Sequence, residues 1–128
     1  MKTVLIMANA KDFKANYASL FSANEHSVAL LNATIFEDAV MQLKKNPDTA
    51  IIVFACCPTK DSAPECAALA KRLKNFGFTG EMVVVINPEL EGAREFRTTM
   101  IAAGCGTCSK ERAAGEIARL LTKRAIAA

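Results

Sequence analysis

Ala50-Ile51-Ile52-Val53-Phe54-Ala55-Cys56-Cys57-Pro58 is the stretch whose reading decides the fold. Six residues, Ala50 to Ala55, carry no charge and no polar group, and two cysteines and a proline follow. A run this short that is apolar on both faces fits an interior strand of a parallel sheet, covered by helices above and below. In such sheets chemistry gathers beyond the carboxyl ends of the strands. Here that end reads Ala55, Cys56, Cys57, Pro58, and it holds no carboxylate.

Working outward, Thr3–Ala8, Ser27–Leu31, Met82–Ile86 and the short Gly106–Cys108 read as the other four strands. Helical spacing of apolar residues fills the gaps between them. Phe13, Tyr17, Leu20 and Phe21 mark a first helix capped by Asn9 and running to about Asn24. Thr34 with Glu37 has the capping-box spacing and opens a second helix, with Ile35, Phe36, Ala39, Val40 and Leu43 as its inward stripe. Lys44, Lys45 and Pro47 end it. Ser62 with Glu65 repeats the box, Pro64 suits the first turn, and Cys66, Leu69, Ala70, Leu73 and Phe76 face inward until Gly77 stops the helix. Asn87 and Pro88 start a helix carrying Leu90, Ala93, Met100 and Ile101 to Gly104, with Gly92 inside it. Ser109 caps a last helix with Ala114, Ile117, Ala118 and Leu121 inward. Five βα units in succession, joined by short connections, imply right-handed crossovers and a three-layer, doubly wound, five-stranded parallel sheet in a single α/β domain over residues 1–128.

Composition agrees and narrows the function. Hydrophobic residues make up 52% and charged ones 23%, which describes a globule with a real core. A net charge of +3 is too mild to argue for nucleic acid, and the basic residues of the last helix (Arg112, Arg119, Lys123, Arg124) suit its carboxyl-end dipole. The sequence shows no signal peptide and no membrane span. Five cysteines, an odd number outside a small secreted scaffold, are expected as reduced thiols in the cytoplasm. Ala8-Asn9-Ala10-Lys11 lacks the glycines of a phosphate-binding loop, so no dinucleotide or other cofactor is expected.

The element order and lengths, the Asn87-Pro88 turn after the fourth strand, and Ile101-Ala102-Ala103-Gly104 before the fifth resemble the receiver domain of bacterial response regulators. The resemblance spans nearly the whole chain and implies the flavodoxin-like (βα)5 topology with strand order 2-1-3-4-5. It also implies a role in two-component signal transduction. Receivers carry an aspartate that accepts a phosphoryl group after strand three, and an acidic pair after strand one that holds magnesium. A hydroxyl residue ends strand four and a lysine ends strand five. The reaction needs a carboxylate nucleophile, a hard cation held by oxygens and a positive charge for the transferred group. Carried onto this chain, the acidic pair falls on Ala8 and Asn9, the acceptor on Ala55 or Cys56, the hydroxyl on Asn87 and the lysine on Lys110. Asp12 and Asp61 are displaced from these places and neither has a second carboxylate beside it. The resemblance is therefore to a degenerate pseudo-receiver that does not undergo aspartyl phosphorylation.

The cysteines support a competing reading. Cys105-Gly106-Thr107-Cys108 has the spacing of a redox pair, and Cys56 with Cys57 extends the set to a possible thiol or metal sensor. Against it, only one helix follows Cys108, whereas a thioredoxin-type site needs further strands. Side chains also alternate along a strand, so Cys56 and Cys57 are expected to diverge. Cys105 is expected to close the turn after its helix, Cys108 to pack in the short strand, and Cys66 to be core. His26 stands in a turn with only Glu25 nearby and is expected at the surface. The leading expectation is a non-enzymatic regulatory module that needs no metal and binds a protein partner, or a second copy, through its last two helices. Arg94, Arg97, Arg112 and Arg119 are the candidate contacts.

Overall fold

A computed structural model describes residues 2–8, 11, 14–15, 28–55, 63–86 and 92–127 of the chain. In order, the elements are β1 (Lys2–Met7), β2 (Val28–Ala33), α1 (Phe36–Lys45), β3 (Thr49–Phe54), α2 (Ala63–Phe76), β4 (Glu81–Val85), α3 (Ala93–Ala102), β5 (Gly106–Cys108), a 3-10 turn (Lys110–Arg112) and α4 (Ala113–Ala127). The five strands are all parallel, in the order β2-β1-β3-β4-β5, so the apolar run of β3 is the middle strand.

Both faces of β3 are buried, as its unbroken apolar sequence requires. Ile52 and Phe54 join Leu5, Met7, Met82 and Val84 in a core closed by α1, α2 and α3, through Leu43, Leu73, Phe96 and Met100. Ile51 and Val53 point the other way, with Val4, Ile6 and Val83, onto Ile117, Leu120 and Leu121 of α4. Three layers and two cores result, with a parallel sheet between helices.

Element edges moved where polar residues found partners. β3 begins at Thr49, whose hydroxyl and amide both donate to the Asn46 carbonyl at 2.7 and 3.1 Å, and a register shift between Thr3 and Val4 takes up Ala50. β2 runs past Leu31 to Ala33 because the Asn32 side chain donates to the carbonyls of Ile6 and Ala8 at 3.1 and 2.9 Å. A polar residue satisfied this way does not end a strand.

Several expectations about helix ends are corrected. Thr34 does not cap α1; its hydroxyl donates instead to the Ala8 carbonyl at 3.3 Å. Ile35 takes the N-cap place in extended backbone, without a side-chain cap bond, and so stands 53% exposed rather than in the inward stripe. Phe36 is half-buried beneath the Arg72 guanidinium, 3.8 Å from its ring centroid. Phe76, the last residue of α2, is 43% exposed, and Phe78 beyond Gly77 packs inward in its stead. Gly77 at φ 121° supplies the helix stop, and its amide donates to the Lys74 carbonyl. Gly92 is not inside a helix: at φ 81° it is the N-cap of α3, a conformation that favours glycine. In α3 the inward residues are Phe96 and Met100, while Ile101 is 54% exposed. Ser109 makes no cap bond, since the 3-10 turn intervenes before α4 and the Ser109 carbonyl accepts the Arg112 amide at 3.1 Å. Most of the first helix, with its apolar residues Phe13, Tyr17, Leu20 and Phe21, together with His26, Ser62 and the Asn87–Leu90 start, lies outside the described residues. Among the described residues no helix is long and apolar enough to cross a membrane.

Candidate functional site at the strand ends

The carboxyl ends of β1, β3, β4 and β5 come together by register alone. Met7 pairs with Phe54, so Ala8 and Ala55 leave the sheet side by side; the Ala55 amide donates to the Met7 carbonyl and the Ala8 amide to that of Ala33, both at 3.0 Å. Phe54 pairs with Val84 and Val85 with Cys108, and the Ile86 amide donates to the Cys108 carbonyl at 2.8 Å. Lys110 follows in the 3-10 turn, with an exposed side chain. Of the residues the resemblance points to, Ala8, Ala55 and Lys110 therefore stand at one end of the sheet. Asn9, Cys56, Cys57 and Asn87 lie outside the described residues.

Ala8 is core: it is 0% exposed and packs with Val4, Ile6 and Ile117, and Ala55 packs against the same cluster. The Ala8 carbonyl accepts two side-chain donors, the Asn32 amide at 2.9 Å and the Thr34 hydroxyl at 3.3 Å. Both donors are neutral. Ala8, Ala55, Val85, Ile86 and Cys108, the described residues where these strands end, include no carboxylate, and no group of three or more His, Cys, Asp and Glu side chains among the described residues is placed to hold a metal ion. A hard divalent cation is bound by several oxygens that include carboxylates. Asn32 was not singled out from sequence, and Thr34 was read there only as a helix cap. The signal was present in Asn32, a polar residue interrupting an apolar strand.

The two thiols of the Cys-x-x-Cys stretch do not face each other. Cys105 is buried in the core of α1, α2 and α3, its amide donating to the Met100 carbonyl at 3.0 Å, whereas Cys108 packs against the α4 core across the sheet. Burial pushes both thiols up, Cys105 partly countered by nearby Lys74, and Cys108 reinforced by Glu116 to about 11. Redox-active cysteines have lowered pKa values, so both groups are poor nucleophiles at neutral pH. Iodoacetamide at pH 8 is expected to alkylate Cys105 and Cys108 more slowly than a free cysteine, as read by peptide mass spectrometry. The raised Cys108 pKa sets the sign for alkaline stability. The unfolded thiol ionises near 9.0 and the folded one near 11, so its contribution is intact below 9 and is lost as pH rises to 11.

The candidate arginines flank the β5 edge from its two sides. Arg94 and Arg97 are exposed on α3, and Arg112 is exposed in the 3-10 turn. Arg119 on α4 is bonded to Glu116, Nε to Oε2 at 3.2 Å and Nη2 to Oε1 at 2.5 Å, which raises the Arg119 pKa and lowers that of Glu116. An exposed pair of this kind contributes little stability, but it leaves Arg119 less available than its three companions.

No family model matches the chain, and no curated protein is similar to it in sequence. The backbone is similar to the crystal structure of a LuxR family DNA-binding response regulator from Silicibacter pomeroyi, with a TM-score of 0.70 and 15% identity, over 96% of this chain and 93% of that one. What this likeness establishes is the fold: a receiver-like, flavodoxin-like sheet of order 2-1-3-4-5 with helices on both faces.

Proposed function

We propose that this chain is a receiver-like regulatory module of signal transduction that acts through protein contacts, in the cytoplasm, without accepting a phosphoryl group. The observation that carries the proposal is that Ala8 and Ala55 follow the paired Met7 and Phe54 at the ends of β1 and β3, where the receiver reaction needs carboxylates. Alanine offers neither a nucleophile nor a metal ligand. The reading is further supported by the neutral capping of the Ala8 carbonyl by Asn32 and Thr34, which occupies the strand end with hydrogen bonds that need no cation. The proposed partner surface is the exposed arginines Arg94, Arg97 and Arg112 beside the β5 edge, where Arg119 is a weaker contact because of Glu116.

Incubation with a small phosphodonor and magnesium, followed by intact mass measurement, is expected to give no phosphoryl adduct. A hydroxylamine-labile adduct would overturn the proposal. The alternative of a thiol sensor is disfavoured by the placement of Cys105 and Cys108 on opposite sides of the sheet.

A further inference from the structure

The last turn of α3, Thr99 to Ala102, carries no basic residue to meet the partial negative charge of a helix carboxyl end. Its own backbone closes part of that end: the Ala103 amide donates to the Thr99 and Met100 carbonyls, the Gly104 amide to Ile101 and the Cys105 amide to Met100. The cation comes from another helix. Lys74 stands in the last turn of α2, and its Nζ donates to the Ala103 carbonyl at 3.2 Å, across 29 positions of sequence. The next residue makes room for it: Gly104 has φ 89°, and a Cβ there would run into the Lys74 Nζ. Directly after it, between the exposed glycines Gly104 and Gly106, Cys105 is 4% exposed in the core of α1, α2 and α3. The Lys74 charge is near enough to counter part of the effect of burial on the Cys105 thiol.

We propose that Lys74 is a strap across the α3–β5 turn: seated on the Ala103 carbonyl in the space Gly104 leaves, its amine holds the turn shut over Cys105, and withdrawing it opens the turn while the rest of the core stays closed. A charged donor on a carbonyl is among the stronger hydrogen bonds of a protein. No side chain of α3's own last turn can replace it. The Lys74 side chain is otherwise exposed, so the strap lies on the surface and lifts without disturbing what is packed below. Cys66 marks the contrast. It is buried in the same core, but it stands in the first turn of α2, about 12 Å along the helix from Lys74 at 1.5 Å per residue. The strap also joins α2 to the helix that carries Arg94 and Arg97, so its release loosens that helix at its far end without touching either arginine. The device is independent of whether the chain accepts a phosphoryl group.

Iodoacetamide labelling of the folded chain, resolved by peptide mass spectrometry, reads the turn at Cys105 and the core at Cys66. Lys74→Met is expected to raise the Cys105 rate about tenfold, the effect of one charged hydrogen bond lost from the closed turn, and to leave Cys66 unchanged. The direction separates opening from electrostatics. The Lys74 charge favours the Cys105 thiolate, so its loss from a turn that stays shut slows alkylation. Gly104→Asn keeps a residue that tolerates left-handed backbone and adds the Cβ that displaces the amine. It is expected to raise the Cys105 rate when Lys74 is present and to add little in Lys74→Met. Lys71→Met, one turn earlier on α2, is expected to change nothing. The strap is refuted by a Cys105 rate that is unchanged or slower in Lys74→Met, or by Lys71→Met matching it. It is equally refuted if Cys66 rises in step with Cys105, which marks loosening of the whole core, or if Gly104→Asn acts alike in both backgrounds.

Discussion

Phe54→Ala is expected to lower the unfolding free energy by about 3–5 kcal/mol, the range for truncating a buried phenylalanine. Phe54 is the last residue of β3, is fully buried, and is among the largest side chains of its core, with Met7, Met82, Phe96 and Met100 around it. A typical domain has only about 5–15 kcal/mol in total, so a drop of this size takes a large part of the margin. Chemical denaturation read by circular dichroism measures it, and a loss below about 1 kcal/mol would show that the site collapses freely around the gap. The position matters because it is one residue before Ala55. A strand end carrying a reactive group has to present it to solvent. Here the residue before that end is fixed by packing on one face, and Ala55 rests on the core of the other.

Much of this was legible because both signals are periodic. The run from Ala50 to Ala55 has no face to give to water, which requires a covered sheet, and βα alternation then leaves few topologies. β5 was readable from three residues because Gly104 and Ser109 bound it. What sequence did not reveal was where polar side chains send their hydrogen bonds. Thr34 and Glu37 have capping-box spacing, yet the Thr34 hydroxyl is within reach of the Ala8 carbonyl and bonds there. Spacing along one segment carries no information about an acceptor 26 positions away. Ile35 and Phe76 failed for a related reason: both obey helical period but sit at helix ends, where the backbone leaves the helix and the face they occupy is no longer inward. At the candidate site the absence of carboxylates at Ala8 and Ala55 was readable directly. The neutral amide and hydroxyl that cap the strand end belong to β2 and the turn after it, and they needed the fold to be seen.

Ala8→Asp is expected to destabilise the chain by about 3–5 kcal/mol at neutral pH, the cost of an unpaired buried charge. Ala8 is 0% exposed and packs in the apolar cluster that holds Val4, Ile6, Ile51, Val53 and Ile117. The substitution places a carboxylate where the resemblance to receivers would put an acidic residue, and so tests whether that pocket is latent or closed. Burial disfavours the charged form and raises the folded-state pKa above the unfolded value of about 3.9. The sign follows: the unfolded chain releases its proton first, so the deficit against the unsubstituted chain is small below about pH 4, grows as pH rises, and levels off above the folded pKa. Ala8→Asn separates charge from size. It carries the same bulk without ionising, and its deficit is expected to stay flat over the same pH range. Urea unfolding at several pH values, with and without magnesium, measures all of this. If Ala8→Asp is as stable as the unsubstituted chain at pH 7, or gains stability with magnesium while Ala8→Asn does not, the strand end opens to solvent and cation. The reading of a closed, packed site then fails. If the deficit grows with pH and ignores magnesium, the position that could have held a metal is core, and restoring one carboxylate does not restore a receiver.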